Sequence, residues 1–211
     1  MPLPLYILME DTYRTIDAPA EGLYKEKGSK FIALAYPVYT EEEVKDIVAE
    51  LKKQYYDARH HCYAYSLGAD KGRFRASDDG EPSGSAGKPM LGQIDSAGFI
   101  NVLVVVVRYF GGTLLGVPGL INAYKTATAD ALAQAGIIEK WIEDKYEVQF
   151  DYPVMSEVLY LLKQAEATIY QQDLQLFCIV KTGIPRNRSA DYVQRLSEIR
   201  GVTVKQLKKE V

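Results

Sequence analysis

The 211-residue sequence has only two cysteines, Cys62 and Cys178, and they form no CxxC pair. That excludes a disulfide framework and a zinc knuckle. Reduced thiols in a cytoplasmic protein are the simplest account. No apolar run approaches the ~20 residues a helix needs to cross a bilayer, so no membrane partner is expected. The start, Met1 to Met9, is apolar but lacks a basic flank and a small-residue cleavage site. Residues 1–10 read as a loose tail or an upstream start, with Met9 able to serve as initiator. Basic excess is missing too: the net charge is −3, so nucleic-acid contact would need a local patch.

Two phosphate-binding fingerprints are also absent. Gly84-Ser-Ala-Gly-Lys88 has Pro82 where a Walker loop has its first glycine, and Pro89 where serine or threonine follows the lysine. No GxGxxG occurs between Gly111 and Gly119. The apolar share of 47% and charged share of 25% are otherwise those of a globular protein of one large or two small domains.

What is present concentrates in Asn101–Gly119, NVLVVVVRYFGGTLLGVPG. Val102–Val107 is an unbroken aliphatic run without alternation, which predicts a central strand covered on both faces. Arg108, Tyr109 and Phe110 close it. Gly111, Gly112, Gly116 and Gly119 then break the chain, and an alanine-rich helix follows. Such a loop can offer main-chain N–H groups and a helix N-terminus to an anion. The plainer alternative is that the glycines only let a tight turn pack against the sheet.

Strands are expected around 12–17, 22–26 and 30–38. Thr40 and Glu43 form a capping box for a helix whose Val44, Ile47, Val48, Leu51 and Tyr55 make one apolar face. A strand at 61–67 sets Tyr63 and Tyr65 opposite Cys62 and Ala64. Residues 68–89, rich in glycine and polar residues, read as a long loop without regular structure. A short helix at 90–97 leads to the central strand. Pro118 suits the first turn of the next helix, and Ala123, Ala127, Ala131 and Ala135 give it a narrow ridge for close packing. After 139 the pattern restarts as β-α-β-β-α-β: a strand at 141–151, a helix at 153–165, strands at 167–172 and 174–182, a helix at 189–200 and a strand at 202–207. That is the ferredoxin-like split motif. The expected organisation is two α+β domains, 11–138 and 139–211.

Asp78, Asp79 and Glu81 can hold a cation or work as an acid–base pair, but they lack the further ligands of an EF-hand. The alternative is a solvated acidic turn, or a partner for Arg108, whose guanidinium at the edge of a buried strand must find an acceptor. The acidic loop is therefore expected to fold back over the glycine loop with Arg108 between them. His60 and Cys62 share a strand face ~7 Å apart, too far to act by themselves as base and nucleophile. Arg186, Arg188, Arg195 and Arg200, with Lys205, Lys208 and Lys209, make the C-terminal end basic. Tyr146, Phe150, Tyr170 and Phe177 are available to stack on RNA bases, although the ribonucleoprotein octapeptide is absent. No cofactor and no metal are expected, and nothing in the pattern sets an oligomeric state.

Arg108-Tyr-Phe-Gly-Gly-Thr-Leu-Leu-Gly116, then Pro118-Gly119-Leu120 and Ala123-Tyr124, resembles the signature of the IMPACT family in its bacterial YigZ-type form. Asp78-Asp-Gly-Glu-Pro82 with Ala86-Gly-Lys-Pro89 resembles its second motif, and His60 with Ala64-Tyr65 and Lys27-Gly-Ser-Lys-Phe31 also fit. The resemblance covers most of 27–136. It implies a first domain with the ribosomal-protein-S-five second-domain fold, shared with GHMP kinases and part of elongation factor G. It implies a ferredoxin-like second domain similar to the last domain of that factor. Eukaryotic relatives restrain the kinase that phosphorylates an initiation factor in amino-acid starvation, and carry an N-terminal partner-binding domain that this sequence does not show. The favoured expectation is a non-enzymatic module contacting RNA, the ribosome or a translation protein. Its candidate binding residues are His60, Asp78, Asp79, Glu81, Ser83, Ser85, Lys88, Arg108, Tyr109, Gly111, Gly112, Thr113, Gly116 and Gly119. The rival is an enzyme, a GHMP-like phosphoryl transferase or a hydrolase using Asp78, Asp79 and Glu81.

Overall fold

A computed structural model describes residues 11–69, 72–175 and 177–207. The expected N-terminal tail and the basic Lys208 and Lys209 lie outside them. The chain is α+β and divides into two compact units, one of Tyr13–Lys140 and one that joins residues 11–12 to the chain from Trp141 onward.

The first unit runs β1 (Thr12–Ile16), β2 (Ala20–Glu26), β3 (Ser29–Pro37), α1 (Glu41–Gln54), β4 (His60–Leu67), β5 (Arg73–Ser77), α2 (Gly87–Ala97), β6 (Val102–Tyr109), α3 (Gly116–Gln134) and β7 (Ile137–Trp141). Five strands form an antiparallel sheet in the order β2-β3-β6-β4-β5, and β1 pairs with β7 separately. β6 is the middle strand. Its Val102, Val104 and Val106 face a core closed by α2 and α3. Its Leu103, Val105 and Val107 face a second core with Val44 and Leu51 of α1. All six side chains are fully buried, each worth roughly 1.5–3 kcal/mol. The unbroken aliphatic run therefore has the physical cause expected of it: both faces of the strand are dry.

Local signals set the helices. Thr40 Oγ1 accepts from Glu43 N at 3.2 Å while Glu43 Oε2 accepts from Tyr39 N at 2.7 Å, so α1 starts where the capping box stands. Ala123, Ala127 and Ala131 are fully buried in α3, which lies so close to β2 that a Cβ on Gly22 would stand 2.3 Å from Ala131 N.

Two expectations are corrected. The stretch 68–89 is not wholly irregular, since β5 pairs with β4 and α2 begins at Gly87. β5 is an edge strand with half-buried or exposed side chains, so it carries no apolar alternation for the sequence to show. The strand expected at 141–151 is two, β7 and β8 (Glu143–Asp151), which lie in different sheets. β7 pairs back with β1, and the first compact unit runs to Lys140.

The second unit continues from β8 through a 3-10 turn at Tyr152–Val154, α4 (Met155–Gln164), β9 (Thr168–Leu174), β10 (Phe177–Pro185), α5 (Arg186–Glu198) and β11 (Thr203–Gln206). Its antiparallel sheet has the order β11-β8-β10-β9. α4 and α5 cover one face through Val158, Leu161, Leu162 and Leu196. Tyr146 and Phe150 point into that core, so they cannot stack on a ligand; Tyr170 and Phe177 are exposed. The strand period explains the split: Tyr146, Val148 and Phe150 alternate with polar residues and take the dry face.

Gly22→Ala is expected to lower the unfolding free energy by about 1–3 kcal/mol, because the atoms it meets are backbone and cannot yield. Ala131→Gly should not rescue it in urea titrations; rescue would show that the approach of β2 to α3 is set by side chains.

Candidate functional site

The motifs meet at one end of the five-stranded sheet. Cross-strand register places Phe31 beside Arg108 and Arg108 beside His60. The loop after β5 folds over this row. Asp78 shapes that loop: Oδ2 accepts from Gly84 N at 2.8 Å, and Oδ1 from Ala86 N at 3.0 Å and Gly87 N at 2.9 Å. It thus ties the loop shut and satisfies the N-terminus of α2, where a negative charge also suits the helix dipole. A Cβ at Gly87 would lie 2.5 Å from Ser77 N, so this closure admits only glycine there.

The three carboxylates are each held by different partners. Asp79, in a left-handed backbone conformation (φ +40), accepts from Lys52 Nζ at 2.8 Å and from His61 N at 2.7 Å. Its carbonyl lies 2.8 Å from His60 Nδ1. Glu81 turns inward. Its Oε1 accepts from Arg108 NH1 at 2.6 Å and from the Tyr124 hydroxyl at 2.9 Å. The Arg108 and Glu81 side chains are 8% and 4% exposed, so this is a buried pair. The guanidinium carbon lies 5.4 Å from the Phe31 ring centre and 5.8 Å from that of Phe110. Among the described residues, no three His, Cys, Asp or Glu side chains gather as a metal site. Cys62 Sγ lies 3.0 Å from the Asp78 carbonyl and 3.3 Å from the Tyr124 hydroxyl. Burial pushes its thiol up to about 12, far from the thiolate a nucleophile needs.

The other candidates divide by depth. Ser85 is buried and its Oγ donates to the Pro82 carbonyl at 2.6 Å. Tyr109 OH donates to Asp57 Oδ1 at 2.8 Å. Ser83, Lys88, Gly112, Thr113 and Gly116 are exposed, with Gly119 half-buried. Gly111 N donates to Ser29 Oγ at 3.1 Å, and a Cβ on Gly111 would stand 1.9 Å from the carbonyl carbon of Gly28. The glycine loop is thus clasped to the β2–β3 turn backbone to backbone. Between Phe110 and Ile121 four apolar side chains face outward: Phe110 at 54%, Leu114 at 83%, Val117 at 46% and Ile121 at 38% exposure.

Tyr124, Lys52 and Ser29 were not among the candidate binding residues, although Tyr124 and Ser29 stand inside the family motifs quoted from the sequence; Lys52 carries no such signal. In the second unit, Arg186 pairs with Asp144 at 3.5 Å, Arg188 with Glu166 at 2.9 Å and Arg195 with Asp191 at 3.8 Å, while Arg200 is exposed.

The Impact N-terminal domain model matches residues 27–132, which contain β3, β4, β5, β6 and the loop after β5. The chain belongs to the IMPACT family. It is 36% identical to the IMPACT family member YigZ of Escherichia coli K12 over 183 residues, 86% of this chain and 90% of that one. It is 34% identical to the IMPACT family member YvyE of Bacillus subtilis strain 168 over 158 residues, 75% and 73% of the two chains. A crystal structure of a hypothetical protein superposes with a TM-score of 0.74 at 32% identity, covering 95% of this chain and 99% of that one. Within this IMPACT family member the motif carboxylates are thus spent on closing the loop after β5 and tying it to α1, β4, β6 and α3.

Arg108→Ala should cost about 3–5 kcal/mol, since it leaves Glu81 buried without its cation. Arg108→Met with Glu81→Leu should recover most of the loss in chemical denaturation; equal loss in both would assign the effect to packing alone. Burial raises the Asp79 carboxyl, but Lys52 and the His61 N–H outweigh it and hold the group below its ordinary 3.8. Burial lowers the His61 imidazolium below 6.5, against the opposing Tyr55 carbonyl and Asp79 charge. Both groups bind protons more weakly when folded than when unfolded. Stability should therefore fall as pH drops below about 6.5 through His61 and again below 3.8 through Asp79. His61→Gln should flatten the first step; an unaltered profile would exclude His61 as its origin.

Proposed function

We propose that this protein is a non-enzymatic, cytosolic binding module of the translation apparatus, which docks on the ribosome or a translation protein through its glycine loop. The observation that carries this reading is the outward ridge Phe110, Leu114, Val117 and Ile121. Exposed apolar side chains gathered between Phe110 and Ile121, along a clasped glycine loop and the first turns of α3, support an interaction surface there. The motif carboxylates support binding over catalysis, because Asp78, Asp79 and Glu81 are each engaged inside the fold and offer a substrate no free acid–base pair.

The fold types fit the same reading. The first unit is read as the ribosomal-protein-S-five second-domain type. The second is read as ferredoxin-like, with support from its β-α-β-β-α-β order and a sheet in which the first and third strands are central. Both folds are at home in translation proteins, although a fold alone assigns no function. Both cysteines are free thiols, in keeping with a reducing compartment, and no helix among the described residues is long and apolar enough to cross a membrane.

Leu114→Asp should leave stability within about 0.5 kcal/mol of the parent, since the side chain is exposed, yet remove co-sedimentation with purified bacterial ribosomes. A wild-type protein that neither sediments with ribosomes nor binds purified translation factors at low salt would sink the reading.

A further inference from the structure

The outer face of α3 is unlike those of α1 and α5. Those two helices turn charged pairs to water, Glu42 with Lys45 and Asp191 with Arg195. Along α3 the exposed row at i+4 spacing is Val117, Ile121, Lys125, Ala129 and Ala133. Pro118, Asn122 and Gln134 beside it are exposed and neutral. Lys125 is the one charge on that face. Asp130, the other charged residue of α3, accepts from Leu23 N at 2.8 Å and is turned to β2. A helix whose outer side stays in water carries charged and polar residues there. This face has instead the composition of a contact.

The row is also graded in size. Val117 and Ile121 stand in its N-terminal half, and Ala129 and Ala133 in its C-terminal half. Rows of this spacing interdigitate when two helices cross at about −50°, and small side chains let the axes approach closely. A two-fold axis between Ile121 and Lys125 sets Val117 of one copy against Ala129 of the other, large on small, twice over. It lays each Ile121 under the aliphatic stem of the opposite Lys125, whose ammonium reaches water past the helix. The same axis keeps the two lysines from facing each other. A charged partner would find a single cation here and no acid, whereas the row fits a second copy of itself.

We propose that two copies of this chain associate through the outer faces of α3, crossing about a two-fold axis between Ile121 and Lys125. Val117 and Ile121 also belong to the ridge read above as the docking surface, so self-association covers part of that surface and competes with its partner. The dimer stands on the α3 row alone; the competition rests on the docking reading.

The test is sedimentation velocity of the full chain over a wide concentration range, beside Ala129→Arg. The wild type should pass from monomer to twice that mass as concentration rises. Ala129→Arg puts a long cation where Val117 of the other copy must sit, and the variant should stay monomeric throughout. Residue 129 is exposed and arginine is a good helix former, so the variant should melt with the wild type, and loss of the dimer cannot be ascribed to unfolding. A wild type that is monomeric at every concentration, or a dimer that survives Ala129→Arg, overturns the proposal. Co-sedimentation with ribosomes separates the two readings. Ala129→Arg lies outside the ridge and frees it, so it should bind ribosomes at least as tightly as the wild type. If the wild type dimerises and neither protein binds ribosomes, the dimer stands and the docking reading falls. If ribosomes bind a wild type that is always monomeric, the docking reading stands and the dimer falls.

Discussion

The Arg108–Glu81 ion pair is the constraint on which the first unit's surface depends. It joins the end of the central strand to a loop 27 residues earlier in the chain, and Tyr124 brings α3 to the same oxygen. A guanidinium taken out of water needs its acceptor in place, or the burial is unfavourable by several kcal/mol. The loop after β5 therefore cannot lift without exposing a strong penalty, and the glycine loop that follows Arg108 leaves the sheet from a fixed point. Phe31 and Phe110, whose ring centres lie 5.4 and 5.8 Å from the guanidinium carbon, narrow its freedom further.

The sequence carried the middle of this arrangement plainly. Six aliphatic residues from Val102 to Val107 can only be a strand dry on both faces, and a strand of that kind sits between other strands. Arg108 at its end had to find a carboxylate, and the nearby acidic motif offered three. Which one was not legible. Asp78, Asp79 and Glu81 look alike in a sequence, but only the turn geometry, with Asp79 and Gly80 both left-handed, aims Asp78 and Asp79 away and Glu81 inward. β5 was invisible for a related reason. It is created by pairing along one edge of β4, and neither of its faces is buried enough to demand apolar alternation.

The second unit shows the limit of counting residue types. Tyr146 and Phe150 are aromatic, but they fall on the period that faces α4 and α5, so their rings fill the core. Arg186, Arg188 and Arg195 make the segment basic in composition, yet each has a carboxylate within ion-pair distance. Exposed pairs of this kind contribute little to stability, but they do cancel the local field. By contrast, Lys25, Lys27 and Lys30 are in no ion pair among the described residues, although Glu26, between two of them in the chain, keeps its negative charge while accepting from the Tyr24 hydroxyl. Free charge is decided by pairing, which composition does not record.

A buried ion pair is a poor way to gain stability, since apolar side chains of similar volume often do as well or better. What it supplies is directionality. A hydrophobic plug under the loop would tolerate small shifts of register, whereas Glu81 Oε1 receives two donors, from a strand and a helix, and both are satisfied in only one loop position. The Gly28–Gly111 contact imposes the same demand on the other side, because two backbones in van der Waals contact leave no room for adjustment. The glycine loop, the β2–β3 turn and the loop after β5 are thus held in one geometry by internal contacts. A loop ordered within the fold pays less entropy in any later encounter, and the acidic and glycine motifs of this chain supply that order.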